Sequence, residues 1–305
     1  GVESLDDPRL AMAALWAVYE QQKSAFAELP DLQQVAQTMD FPLINVLAQM
    51  EFRGIKIDAS KLEKMNKSLA QDIAAVQQNI YDMVGYEFNV ASPAQLASAL
   101  FDKLLLPTAG IKKGKTGYST NQKELDKLRG QHPIIELVER FRELSKLQNT
   151  YVAALPEQTD AKGYIHTTFN QDATATGRLS STNPNLQNIP IRTELGRQIR
   201  DAFVPAPGNV FVNADYSQFE LRLAAVMAGE KQMIEDFNTD VDIHTKTAAE
   251  VYNVPINEVT PAQRRRAKVV NFGVLYGMSQ HGLAAAANMS YGEAQHFIDE
   301  YYRIR

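Results

Sequence analysis

The sequence predicts an α+β fold rich in helix, with a small sheet near the middle of the chain. Three observations predict it. Apolar residues recur at spacings of three and four from Leu62 to Met83, helix starts are marked by capping residues, and from Tyr164 the texture changes to short β-type runs between polar turns. The chain has 305 residues, 45% hydrophobic and 22% charged, which suits about two globular domains.

Several classes are excluded at this level. No apolar run reaches the ~18 residues that span a bilayer. Gly1–Leu10 carries Glu3, Asp6 and Asp7, unlike a signal peptide. With no cysteine there is no disulfide, thiolate metal site or Cys nucleophile. A cytoplasmic protein is expected. The net charge of −5 resides in residues 1–60, which hold nine acids against four bases. Elsewhere the balance is even, with basic stretches at 171–200 and 264–280 that can track phosphates.

In order, the first helix runs through Leu10, Leu15, Tyr19 and Phe26 to Pro30. A second restarts at Asp40-Phe41-Pro42 and closes near Gly54. Ser60 and Glu63 form a capping box for a helix of about 24 residues ending at Gly85, with a narrow apolar seam fit for a protruding arm. Ser92-Pro93 starts a helix to about Leu106. Residues 109–119 form a basic tip with Lys112, Lys113 and Lys115. Its Gly114-Lys115-Thr116 is no P-loop, because Ala109 stands where that motif needs glycine and no strand precedes it. Helices follow at 121–129 and about 134–155. Val210–Ala214 reads as a buried strand, followed by helices from Ser217 to Ala228, from Asp242 to Tyr252, from Thr260-Pro261, and from Tyr291 to Tyr302.

Four groups of residues could carry chemistry. Asp215, at the end of an apolar strand, either ligates a divalent cation or merely starts a turn. Glu220, three residues after Ser217, fits a capping box. Arg264, Lys268, Phe272 and Tyr276 recur every four residues, so two cations and two rings share one helical stripe. That stripe suits a nucleoside triphosphate, or is a solvated basic turn followed by core aromatics. Ala267, Val270 and Val274 fall on other faces and can pack inward. Arg178, Asn185, Gln187 and Asn188 lie on a loop and could meet minor-groove acceptors regardless of base sequence. His244, two residues after Asp242, reads on its own as a packing residue at a helix start.

Together these segments resemble a known family. Asp215-Tyr216-Ser217-Gln218-Phe219-Glu220-Leu221-Arg222 is similar to motif A of family-A DNA polymerases, the bacterial DNA polymerase I type. Arg264 through Gly277 (RRRAKVVNFGVLYG) is similar to their motif B, and Ala175–Pro190 to their primer-template segment. The resemblance extends over residues 40–305. It implies a right-hand architecture with a small antiparallel palm sheet: thumb 53–157, palm 41–52 and 158–241, fingers 242–305. Residues 1–40 would be a remnant of a proofreading-like domain and its linker.

The resemblance implies template-directed DNA synthesis on a primer-template with dNTPs and two Mg²⁺ ions. Asp215 and Lys268 would be catalytic. Asp215, with Tyr216, would hold metal. Arg264, Lys268, His244, Phe272, Tyr276, Gln218 and Glu220 would bind the nucleotide, with His244 on the phosphates and Glu220 excluding a ribose 2′-OH. Arg178, Asn185, Gln187, Asn188 and the three lysines of the tip would hold DNA. The family's second palm motif, His-Asp-Glu, occurs nowhere in the sequence. The chain alone is therefore expected to be inactive, and a C-terminal polymerase fragment is an expected partner. The rival expectations are a non-catalytic primer-template-binding fragment, a single-subunit RNA polymerase, against which Glu220 argues, and a helical interaction protein.

Overall fold

A computed structural model describes residues 7–115, 117–191 and 193–304. Thr116 of the Gly114-Lys115-Thr116 triplet, and Glu3 and Asp6 of the acidic start, lie outside the described residues. The chain divides into two compact units after Phe211.

The first unit opens with the Pro8–Ala27 helix, capped by the Asp7 carboxylate on the Arg9 N–H. It buries none of its residues, and Leu10, Leu15 and Trp16 are exposed. The helix expected to restart at Asp40 instead continues from Pro30–Val35 through a π-helical turn at 36–40 into Phe41–Arg53. A π turn absorbs an extra residue without breaking the helix, and Pro42, which has no N–H to donate, stands just after that turn. Gly54 then closes it with φ +65°; a Cβ there would stand 2.7 Å from the Ile165 carbonyl.

The long helix spans Ala59–Val84 and ends on left-handed Gly85, as its seam predicts. Its cap differs from expectation. Asp58, not Ser60, accepts the first-turn N–H, because the helix begins two residues earlier than a Ser60–Glu63 box requires. The seam packs against the Ile134–Leu147 helix. Leu69, Leu144, Leu147 and Leu155 form one cluster; Ile80, Leu100, Ile134 and Val138 form a second. Each such side chain contributes roughly 1.5–3 kcal/mol.

Among the described residues, the sheet is three separate two-stranded antiparallel ribbons. Ile55–Lys56 pairs with Tyr164–Ile165, Lys113–Gly114 with Gly117–Tyr118, and Thr168–Asn170 with Ser180–Thr182. The helix-rich α+β class therefore holds, and the basic tip is a hairpin rather than a plain loop. One expected strand is absent. Residues 209–214 have no regular structure; Val210 is 80% and Val212 86% exposed. Alternating apolar residues suit a strand, but its backbone needs a neighbour, and none of the described strands pairs with it.

The second unit is helical: Phe219–Ala228, Lys231–Asn238, Ile243–Tyr252, Pro261–Leu275, Gln280–Ala287 and Tyr291–Ile304. The Ile243–Tyr252 and Pro261–Leu275 helices pack side by side. Ala248, Val251, Ala267, Val270, Leu283 and Phe297 form their core, as the inward assignment of Ala267 and Val270 requires.

Candidate nucleotide site

The Pro261–Leu275 helix starts on a reciprocal capping box between Thr260 and Gln263. It places Arg264, Lys268 and Phe272 on one stripe. Tyr276, the fourth member, follows the last helical residue and is 60% exposed. Lys268 is exposed and Phe272 half-buried. Phe272 also packs on Leu221, Ala225, Phe237 and Ile243, which ties the stripe to the helix that follows Asp215.

Asp242 does more than cap its helix. Its carboxylate accepts from the backbone N–H of His244 at 3.1 Å and from the Thr245 hydroxyl at 2.8 Å. It also accepts from Arg264 Nε at 2.6 Å, fixing the cation at the head of the stripe. Burial works to raise the Asp242 pKa, but the bonds from Arg264 and Thr245 prevail and hold it at about 2.

His244 is 2% exposed. Burial, with the cations Arg264 and Lys268 adding to it, pushes its pKa down to about 4 against the opposing pull of Asp242. The ring is therefore neutral near pH 7. It faces Phe272 with centroids 5.7 Å apart, and its Nδ1 lies 2.9 Å from Asn271 Nδ2. The expectation from position alone, a packing residue, describes its burial but not this bond.

The Asp215 turn is open. Asp215, Tyr216 and Ser217 are exposed, and the Tyr216 and Phe219 rings lie 5.4 Å apart. The expected Ser217–Glu220 capping box does not form. Gln218 occupies the cap position in a left-handed conformation, φ 54°, without a side-chain cap bond, and the helix starts at Phe219. Arg222 supplies the hold instead: its Nε donates to the Ser217 carbonyl at 2.9 Å while its guanidinium lies over Phe237. Glu220, in the first turn, is half-buried.

In the first unit, Arg178, Asn185, Gln187 and Asn188 are all exposed on one loop. Ser181, fully buried, anchors it by bonding Thr167 and accepting the Leu186 N–H; Gln187 donates to the Leu179 carbonyl. Lys112, Lys113 and Lys115 are exposed at the hairpin, with the Lys113 ammonium 5.0 Å from the Tyr118 ring centre. Sequence reasoning missed Asn271 and Arg222. Asn271 was legible only as a polar residue on an otherwise inward face.

Residues 59–304 match DNA polymerase family A, and the chain belongs to that family. It is 47% identical over 309 residues to DNA polymerase I of Bacillus caldotenax, covering 97% of this chain and 34% of that protein. It is 48% identical over 264 residues to the thermostable DNA polymerase I of Thermus thermophilus, covering 86% and 32%. Among solved structures, it matches the POL domain of Pol1 from M. smegmatis in complex with DNA primer-template and dNTP. The TM-score is 0.80 at 41% identity, over 91% of this chain and 49% of that one. The chain thus spans about a third of the length of the DNA polymerases I it matches. Its helix-rich fold matches that of a family-A polymerase domain.

Proposed function

We propose that this chain binds a primer-template and a dNTP for template-directed DNA synthesis, in which the primer 3′-hydroxyl attacks the α-phosphate and pyrophosphate leaves. One observation carries the reading: Asp242, Arg264, His244, Lys268 and Phe272 converge on two packed helices as an ordered row from cation to ring. Arg264, held at Nε, turns the rest of its guanidinium fork to phosphate oxygens. The Lys268 ammonium meets charge that grows in the transition state. Phe272 and Tyr276 cover sugar and base, Glu220 crowds a 2′-OH, and Gln218 also meets the nucleotide. Arg178, Asn185, Gln187 and Asn188 hold the duplex near the primer end, and the lysine hairpin follows its phosphates. Thumb 53–157, palm 41–52 with 158–241, and fingers 242–305 are the corresponding divisions, with 1–40 a proofreading-domain remnant. No described helix is long and apolar enough to cross a membrane; a cytoplasmic setting belongs to the same reading.

Family-A synthesis uses divalent metal, here Mg²⁺, and two ions need more than one carboxylate. No three His, Cys, Asp or Glu among the described residues come together to hold a metal ion. Asp215, with the neighbouring Tyr216, supplies one ligand position, and the residues present do not fit a two-ion centre by themselves. The second carboxylate is assigned to a C-terminal palm segment, continuous with this chain or carried by a partner.

Primer extension tests the reading. This chain alone should give no more than trace product, and adding a C-terminal palm fragment should restore Mg²⁺-dependent synthesis. Robust extension by the chain alone contradicts the assignment of a missing carboxylate. Duplex binding should fall steeply between ~50 and ~200 mM salt as counterions are released. Such binding without restored synthesis would make the chain a non-catalytic primer-template-binding fragment.

A further inference from the structure

Asn271 is wholly buried on the stripe helix, one residue before Phe272. A buried carboxamide is a costly choice where an aliphatic side chain would pack, and its Oδ1 has no partner among the described residues. Its Nδ2 lies 2.9 Å from His244 Nδ1, in a bond between residues 27 apart in sequence. An amide N–H can only donate, so Nδ1 must carry the lone pair. A neutral ring then has its proton on Nε2.

The surroundings of the ring agree. Asp236 Oδ2 and Asn271 Oδ1 are the buried side-chain polar atoms left without a partner among the described residues. His244 Nε2 makes no hydrogen bond there either, yet it is not one of those buried atoms. The little surface His244 keeps therefore includes Nε2. Phe272 packs on the ring, and Asp242 fixes the backbone beneath it.

We infer that Asn271 is a positioning residue that locks His244 as the Nε2–H tautomer, so that the neutral ring offers a donor to the nucleotide's phosphates. The inference deepens the nucleotide reading and rests on it. The opposite tautomer would aim a lone pair at phosphate oxygens and repel them. Asn271 thus decides the sign of what His244 contributes, without touching the nucleotide.

Nitrogen NMR of the 305-residue chain, with ¹⁵N-labelled histidine and His244 assigned through His244→Gln, reads the tautomer directly. Near pH 7, His244 should show a protonated Nε2 and a bare Nδ1. Asn271→Asp replaces the donor with an acceptor and should move the proton to Nδ1. A wild-type ring protonated at Nδ1 overturns the inference, as does a folded Asn271→Asp protein that keeps the wild-type pattern. If that variant does not fold, the wild-type spectrum decides alone. Millimolar dATP should then shift the Nε2–H resonance. A correct tautomer that dATP leaves unmoved would stand as Asn271's work while removing the nucleotide role of His244.

Discussion

Two helix pairs in this chain are built alike and filled differently. Where Ala59–Val84 meets Ile134–Leu147, every buried residue is apolar: Leu62, Leu69, Ile80 and Val84 against Ile134, Ile135, Val138, Phe141, Leu144 and Leu147. Where Ile243–Tyr252 meets Pro261–Leu275, the buried set includes His244, Thr247 and Asn271 beside Ala248, Val251, Ala267 and Val270. An unsatisfied buried polar group costs about 1–3 kcal/mol. The first pair spends its interface on stability, and the second gives some up to orient an imidazole. Departures from a well-filled core point to sites where chemistry, not packing, sets the residue.

Substitutions in the two pairs should therefore differ in kind. Leu69→Ala, in the apolar pair, should cost about 2–5 kcal/mol by thermal or denaturant unfolding and leave dNTP affinity unchanged. A change in affinity would break the division of labour.

Acid should act on the polar pair. The His244 pKa of about 4 lies below its ordinary 6.5, so the unfolded chain takes up the proton first as pH falls. Its contribution is complete above pH 6.5 and lost between there and about 4, amounting to about 3 kcal/mol. Asp242 is lost in a separate, lower window, from 3.8 down to about 2. Melting temperatures across pH 7 to 4.5 should fall less for His244→Gln than for the wild type. Equal slopes would mean the ring does not titrate as described.

Smaller effects sharpen the contrast. Val270→Ala, fully buried but on the apolar side of the stripe helix, should lose about 1–3 kcal/mol without altering nucleotide choice. Glu220→Ala should change stability by less than the ~0.5–2 kcal/mol of a lost cap, because the cap position belongs to Gln218. It should still relax sugar discrimination once synthesis is reconstituted with the palm segment. A cap-sized loss with intact discrimination would restore the capping role.

Much of this was legible in the sequence, for physical reasons that differ by element. Thr260-Pro261, Asp242 and Ser92-Pro93 each mark a helix start because capping is settled within three or four residues. The spacing of the stripe is equally local. Both capping boxes that failed were outcompeted nearby, Ser60 by Asp58 and Ser217 by left-handed Gln218. The 209–214 strand failed for a different reason, since alternation cannot supply a pairing partner. Neither could the bond between Asn271 and His244 be read, because it joins two helices and only packing brings them together.

The central claim is that Arg264, Lys268 and Phe272 form a triphosphate-binding face, distinct from the buried face of the same helix. Equilibrium titration of this chain with a fluorescent dNTP, comparing Lys268→Ala with Val270→Ala, tests it most directly. Removing a hydrogen bond to a charged group costs about 1.5–3 kcal/mol, so Lys268→Ala should weaken binding roughly ten- to hundred-fold, while Val270→Ala stays near wild type. Unchanged affinity in Lys268→Ala, with a loss in folded Val270→Ala, would contradict it.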